Sequence, residues 1–441
     1  MTSKIASTTD HATVNFDPNY NVTEIKVYKR RFWMLFLFSF LSFLCGMLYP
    51  QYVVMADMNT CYYNVTQNAV NWTSMLYMVV YIILVFPASS IIDRIDLRWT
   101  VICGSLFNTL SAALQILTLK QNSFPFVIVS TFSASLTNLA ILGIPPFIAS
   151  RWFPSNEVSR ACAIGVFGNQ LGIGIGFIFS PLLVSSDCKK KEDIEVGKET
   201  VATILTAMNT VLLLLIVLTF QNAPKLPPSI NECQKKSEKS VPQLKIIWKM
   251  LKNLNFILVL LVYGLMAGCY FAFATTLNDL ILRYFPNKSI EVGWMGLVFI
   301  FTGLIGSVVA GCILDYTHKY KETYAGICIL SLVLYVAFSL LLFVNMIWVQ
   351  FLMIGILGIF FTSFLPVGFE YGIEVTYPAS EVLSASLLNA STMGFGLILT
   401  MLVSTALDSK GSIWFYMWYT SDLLYSIKFH NKRLQTNEKQ Q

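Results

Sequence analysis

The chain has 441 residues, 55% of them apolar and only 12% charged, with a mean hydropathy of +0.63 and a formal net charge of +6. That balance puts more apolar side chain into the sequence than one water-surrounded core can bury, which excludes a soluble globular domain and calls for lipid. The positive excess reads as anchoring to anionic lipid rather than as binding of nucleic acid.

Residues 1–31 form a polar tail ending in Lys29-Arg30-Arg31. The apolar segment behind it is too long and too aromatic for a signal-peptide core, so it reads as a retained helix. Apolar stretches of roughly 20 residues, the length that crosses a ~30 Å hydrocarbon layer, fall near 32–53, 72–92, 99–118, 124–149, 161–184 and 201–220. A second set falls near 254–278, 292–314, 324–345, 347–369, 383–407 and 411–427. The expectation is an all-α membrane protein with twelve transmembrane helices in two six-helix halves, 32–221 and 253–427. A cytoplasmic linker over 222–252, marked by Pro224, Pro227 and Pro228, joins them, and 428–441 is a second tail. The twelfth helix is atypical, since 411–427 is short and contains Asp422.

The halves are a repeat. Ile91-Ile92-Asp93-Arg94 with Arg98 closes the second apolar helix, and Ile313-Leu314-Asp315 followed by His318-Lys319 closes the eighth, 222 residues later. Phe153-Pro154-Ser155-Asn156-Glu157-Val158 returns as Tyr377-Pro378-Ala379-Ser380-Glu381-Val382 at a spacing of 224. Two membrane-embedded halves related by a parallel repeat imply a transporter that alternates access around a site at their interface. With both termini cytoplasmic, 22 of the 30 Lys and Arg residues lie on the cytoplasmic side, as the positive-inside rule asks. Asp93, Arg94, Arg98 and Asp315 are then the candidate cytoplasmic gate.

Sequons at Asn64 and Asn287 fall in outer loops and are candidate glycosylation sites, whereas the one at Asn71 lies close to the bilayer. Of nine cysteines, Cys61 and Cys188 alone fall in predicted outer loops; whether they pair depends on a geometry that sequence does not contain. No nucleophile–base set or metal-like spacing appears, so the chain reads as a monomeric carrier, not an enzyme, without a cofactor.

At membrane depth the polar groups are amides, notably Asn108, Asn138, Asn169, Gln170 and Asn389, rather than the ionisable group a proton-coupled carrier keeps there. Each alone is as well explained by bonding between helices. Aromatics supply the rest: Tyr49 before Pro50 in the first helix, Tyr77 and Tyr81 on one face of the second, and Tyr270, Phe271 and Phe273 in the seventh. Most aromatic stripes in membranes are packing, but the repeat carries Tyr49 onto position 271, so the two halves present rings at matching depth. Such rings hold a weakly hydrated quaternary ammonium through cation–π attraction of ~0.5–2 kcal/mol per ring.

Trp72-Thr73-Ser74-Met75-Leu76-Tyr77-Met78, Phe86-Pro87-Ala88, Gly168-Asn169-Gln170-Leu171-Gly172, Leu314-Asp315-Tyr316-Thr317, Leu365-Pro366-Val367-Gly368-Phe369-Glu370, Tyr377-Pro378 and Leu387-Leu388-Asn389-Ala390-Ser391 run in order along the chain. From about residue 28 to 407 the sequence resembles the feline leukaemia virus subgroup C receptor family of the major facilitator superfamily. The resemblance implies facilitated transport of choline and ethanolamine, with haem export as the alternative and a non-transporting membrane receptor as a third reading. It also implies a choline site built from a Trp in helix one, a Gln in helix five, a Tyr in helix seven and a Gln in helix eleven. Gln170 matches the first Gln; Tyr49, Phe271 with Tyr270 beside it, and Met393 stand at the other three. The expected location is the plasma membrane, with the mitochondrial and endoplasmic reticulum membranes as alternatives.

Overall fold

The computed structural model describes residues 26–92, 95–154, 157–185, 187–224, 226, 228, 247–248, 250–317, 320–344, 346–376 and 381–408. Eleven helices among these are long and apolar enough to cross a membrane, and no strand occurs among them. The expected twelfth helix at 411–427, the linker residues 229–246, residues 1–25 of the first tail and the whole second tail lie outside the described residues, while Arg30 and Arg31, expected in the tail, already belong to the first helix.

In the first half, α1 (Arg30–Leu48) ends before Pro50, whose missing N–H cannot continue the ladder. A 3₁₀ turn (Val53–Met55) and a short helix α2 (Ala56–Tyr63) follow, then α3 (Gln67–Ile92) and α4 (Leu97–Leu114). The expected single helix over 124–149 is two: α5 (Phe124–Gly143) and α6 (Pro145–Trp152), broken because Pro145 and Pro146 lack N–H groups. Next come α7 (Val158–Leu183) and α8 (Lys191–Thr219). The start of α8 precedes the expected 201 by ten residues. Glu192 and Asp193 in its first turn complement the helix dipole, so the helix extends past its apolar stretch.

The second half is α9 (Leu254–Tyr284), α10 (Ser289–Thr317), α11 (Tyr320–Leu341), α12 (Ile347–Thr376) and α13 (Glu381–Asp408). The repeat is visible in the packing: α1 lies on α7 as α9 lies on α13, and α3 on α5 as α10 lies on α12. The halves meet along two seams, α7 against α10 and α3 against α13.

Close backbone approach fixes the α1–α7 pair. Gly168, Gly172 and Gly176, one turn apart on α7, face Ser39, Phe43 and Met47 of α1. This is the small-residue packing that brings membrane helices together where no hydrophobic drive exists between them. Amides tie other helices: Asn108 donates to Asn209 at 2.7 Å, joining α4 to α8, and Asn169 donates to the Ser42 carbonyl at 3.2 Å.

Cys61 and Cys188 form a disulfide, with 6.2 Å between their Cα atoms, which joins α2 to the α7–α8 loop. The end of the bundle that carries this bridge is called here the disulfide end, and the opposite one the linker end.

Candidate functional site

The bend after α1 delivers Tyr49 to the joint between the halves. Its ring meets Tyr77 of α3 edge-on at 5.2 Å, and Phe271 of α9, its repeat partner, edge-on at 6.2 Å. Its hydroxyl lies 3.5 Å from Thr275 Oγ1, also across the joint. Phe271 continues to Tyr270 at 5.2 Å, and Tyr270 stacks on Phe299 of α10 at 5.4 Å. Toward the linker end, Tyr81 and Met78 of α3 pack with Met393 of α13, and Phe271 packs against the same group. The structure thus brings Tyr49, Tyr77, Tyr81, Tyr270, Phe271 and Met393 into one connected set drawn from both halves. Edge and face contacts between rings of this kind leave electron-rich faces available to a cation once the rings part.

Gln170 lies on α7. It shares a face of α7 with Gly174, one turn on, where an added Cβ would lie 3.2 Å from Ile300 of α10. That face is the seam between halves, and the Gln170 Oε1 is buried there without a hydrogen-bond partner. An unpaired buried amide oxygen is costly, and Gln170 shares that state with Asn108 Oδ1 and Gln350 Oε1.

Of the expected gate, Asp93 and Arg94 lie outside the described residues. Arg98 is exposed and donates to the Val217 carbonyl at 3.0 Å, capping the end of α8 within its own half. Asp315 falls in the last turn of α10. Asn64 and Asn287 are both exposed at the disulfide end and both adopt left-handed backbone, φ 52° and 62°, at the tips of turns. Asn71 is buried and engaged.

A second constellation at the disulfide end was not anticipated. Asp57 of α2 accepts from Asn278 Nδ2 at 3.2 Å and from Ser289 Oγ at 3.2 Å, both in the second half. Asp279 accepts in return from Gln67 and from Asn71 Nδ2 at 3.1 Å, both in the first half, and Asn71 also reaches Ser404 of α13 at 3.0 Å. Each half offers a carboxylate and takes the other's, tying the two halves together at that end. The signal available in the sequence was the pair Asn278-Asp279 where the apolar stretch 254–278 stops, which by itself looks like a helix boundary, although α9 continues to Tyr284.

A twofold-repeated bundle of long apolar helices, with its polar and aromatic side chains gathered at the joint, is the architecture of a secondary transporter. The Major Facilitator Superfamily model matches residues 31–325, and the chain belongs to that superfamily. Solved members share the fold at low identity: a POT family transporter in complex with a thioalcohol-conjugated peptide (TM-score 0.66, 14% identity, 91% of this chain and 96% of that one) and FucP in the outward conformation (0.63, 16%, 89% and 96%). Within the superfamily the chain is a member of the FLVCR family. It is 36% identical over 404 residues to the choline/ethanolamine transporter flvcr2b of Danio rerio, covering 91% of this chain and 83% of that one. It is likewise 36% identical over 394 residues to the choline/ethanolamine transporter FLVCR2 of Homo sapiens (89% and 75%), and 35% over 397 to FLVCR1 of Felis catus (88% and 70%). The chain is therefore a multi-pass membrane transporter and not an enzyme.

Proposed function

We infer that this transporter carries choline-like and ethanolamine-like amines down their gradient by rocking one half against the other. The observation that carries the reading is Tyr49, whose ring touches Tyr77 of its own half and Phe271 of the other, so that movement between halves opens and closes an aromatic cage. The side chains gathered there are phenols, phenyls, thioethers and the Gln170 amide, which suit a weakly hydrated cation bearing a hydroxyl. None of them is a carboxylate or imidazole of the kind that carries a coupling proton, and the cycle is assigned as uniport, without a proton or sodium ion. Tyr49, Tyr77, Tyr81, Tyr270, Phe271 and Met393 are assigned to the cage and Gln170 to the hydroxyl of the substrate. Relatives named as choline/ethanolamine transporters support the substrate class.

The disulfide end is assigned to the outside and the linker and both tails to the cytoplasm. A disulfide and two exposed sequons at one end suit an oxidising, glycosylating compartment. On that assignment the two halves are tied together on the outer side, the plasma membrane is the location, and the protein works as a monomer among lipid. Radiolabelled choline, ethanolamine and haem offered separately to proteoliposomes test the reading. Saturable choline or ethanolamine flux that follows the substrate gradient alone is expected. Accumulation driven by an imposed pH step would overturn the uniport mechanism, and haem flux without amine flux would overturn the substrate.

A further inference from the structure

The first half contains a polar cavity lined by none of the side chains assigned above to the aromatic cage. It lies near the disulfide end, lined by Gln51, Asn59, Gln115, Thr118, Ser180 and Lys198 with apolar neighbours. The space open to the centre of a water molecule is ≈ 20 Å³, more than the ~10–15 Å³ that one water needs and far less than an organic molecule requires.

Lys198, on the third turn of α8, turns its ammonium inward. Nζ donates to the Tyr63 hydroxyl at 2.6 Å and to Asn59 Oδ1 at 3.4 Å, and it sits over the rings of Tyr63 at 3.8 Å and Tyr62 at 4.6 Å. The Tyr63 hydroxyl gives its own proton to the Thr118 carbonyl at 2.7 Å, which fixes its lone pair toward Lys198. All these partners are neutral. No described carboxylate lies within ion-pair distance of Nζ: Glu195, one turn earlier, is instead held by the Tyr62 hydroxyl at 2.9 Å. Two of the three ammonium protons are thereby used and one remains.

Across the cavity Gln51 and Gln115 pair head to tail, each Nε2 donating to the other's Oε1 at 3.0 and 2.9 Å. Each amide spends one N–H in that pair and keeps a second. The lining therefore presents spare amide donors around an ammonium that makes no direct ion pair with a described carboxylate, Glu195 acting on it only through space, in surroundings where a buried charge is costly. We propose that this cavity binds a single small monovalent anion, chloride, held by Lys198 and the spare amide N–H groups of Gln51 and Gln115. Bound there, the anion ties α8 to the turn that follows α1, two residues from Tyr49.

The experiment is the thermal unfolding of detergent-purified full-length protein in sodium chloride against sodium gluconate at fixed ionic strength. Mass-action stabilisation by a ligand at ~10–100 times its Kd predicts a saturable rise of several degrees in Tm with chloride. The rise should vanish in Lys198→Met. Ser180→Val, which narrows the cavity and keeps the lysine, should diminish it and guards against a Lys198 variant that fails to fold. Crystals grown in bromide should carry an anomalous peak within hydrogen-bond reach of Nζ. Equal Tm in both salts, a chloride effect that survives in both variants, or a cavity holding only water with no anomalous peak would each overturn the proposal.

Discussion

Gly176→Ala should damage transport through a contact that contains no polar atom of the site. A Cβ built on Gly176 lies 2.7 Å from the Met47 carbonyl oxygen, 2.9 Å from Pro50 Cγ and 3.0 Å from Met47 Cα, where ordinary contact begins at 3.4 Å. Two of these atoms are backbone and the third is a proline ring, so no rotamer change relieves them. The end of α1 must therefore retreat from α7 by roughly half an ångström or more, and overpacking on this scale costs about 1–3 kcal/mol. Tyr49 rides on that end, and its ring contacts to Tyr77 and Phe271 move with it. The expected outcome is a fall in Tm of a few degrees, at ~1–2 °C per kcal/mol for a chain of this size, together with loss of most saturable amine uptake at matched surface expression. Gly326→Ala on α11 is the control, because nothing lies within 4 Å of its added Cβ. It should be neutral or slightly stabilising, as alanine is a better helix residue. If Gly176→Ala and Gly326→Ala behave alike in both assays, the α1–α7 backbone contact does not position Tyr49 and the reasoning fails.

Gln170→Ala should weaken choline affinity ~5- to 150-fold, the ~1–3 kcal/mol worth of a hydrogen bond in a desolvated site; unchanged uptake would reduce Gln170 to interhelical packing. Met393→Gln, which adds an amide beside Tyr81 and Phe271, should improve choline uptake, and a silent result alongside a severe Gln170→Ala would point to a larger or more apolar amine. Asp279→Ala strips Gln67 and Asn71 of their shared acceptor and should make a cysteine placed near Tyr49 more reactive to impermeant outside reagents; protection equal to the parent protein's would refute the latch. Asn64→Gln and Asn287→Gln should each remove one glycan-sized step on gels of protein from glycosylating cells, and no shift in either would count against placing the disulfide end outside.

Much of this was legible in the sequence because the repeat encodes geometry. The offset of 222 that matches Asp93 to Asp315 also matches Tyr49 to residue 271, and those two rings do meet, 6.2 Å apart. Hydropathy located the spans but not where helices end. Lys191–Thr200 is polar and helix-forming, so α8 runs on beyond its apolar core and brings Lys198 inside the first half. The α5–α6 break was announced by Pro145-Pro146 but hidden by the apolar residues on both sides. Asp57 and Asp279 were invisible as partners, because a charge where an apolar stretch stops is the commonest thing a membrane boundary contains. Their pairing across the halves depends on which ends meet in space, and so does the Cys61–Cys188 bond.

The disulfide decides which side owns the lid. Helix α2 reaches across to the second half through Asp57, yet Cys61 binds it covalently to the α7–α8 loop, and Tyr63 holds the Thr118 carbonyl. When the halves separate, the lid has one way to go: it leaves with the first half, and the parting occurs at the two hydrogen bonds of Asp57. Without the bridge, α2 would keep its chain connections and the bonds of Tyr62, Tyr63 and Asn59 to the first half, and would ride less firmly on that half as Asp57 parted from Asn278 and Ser289.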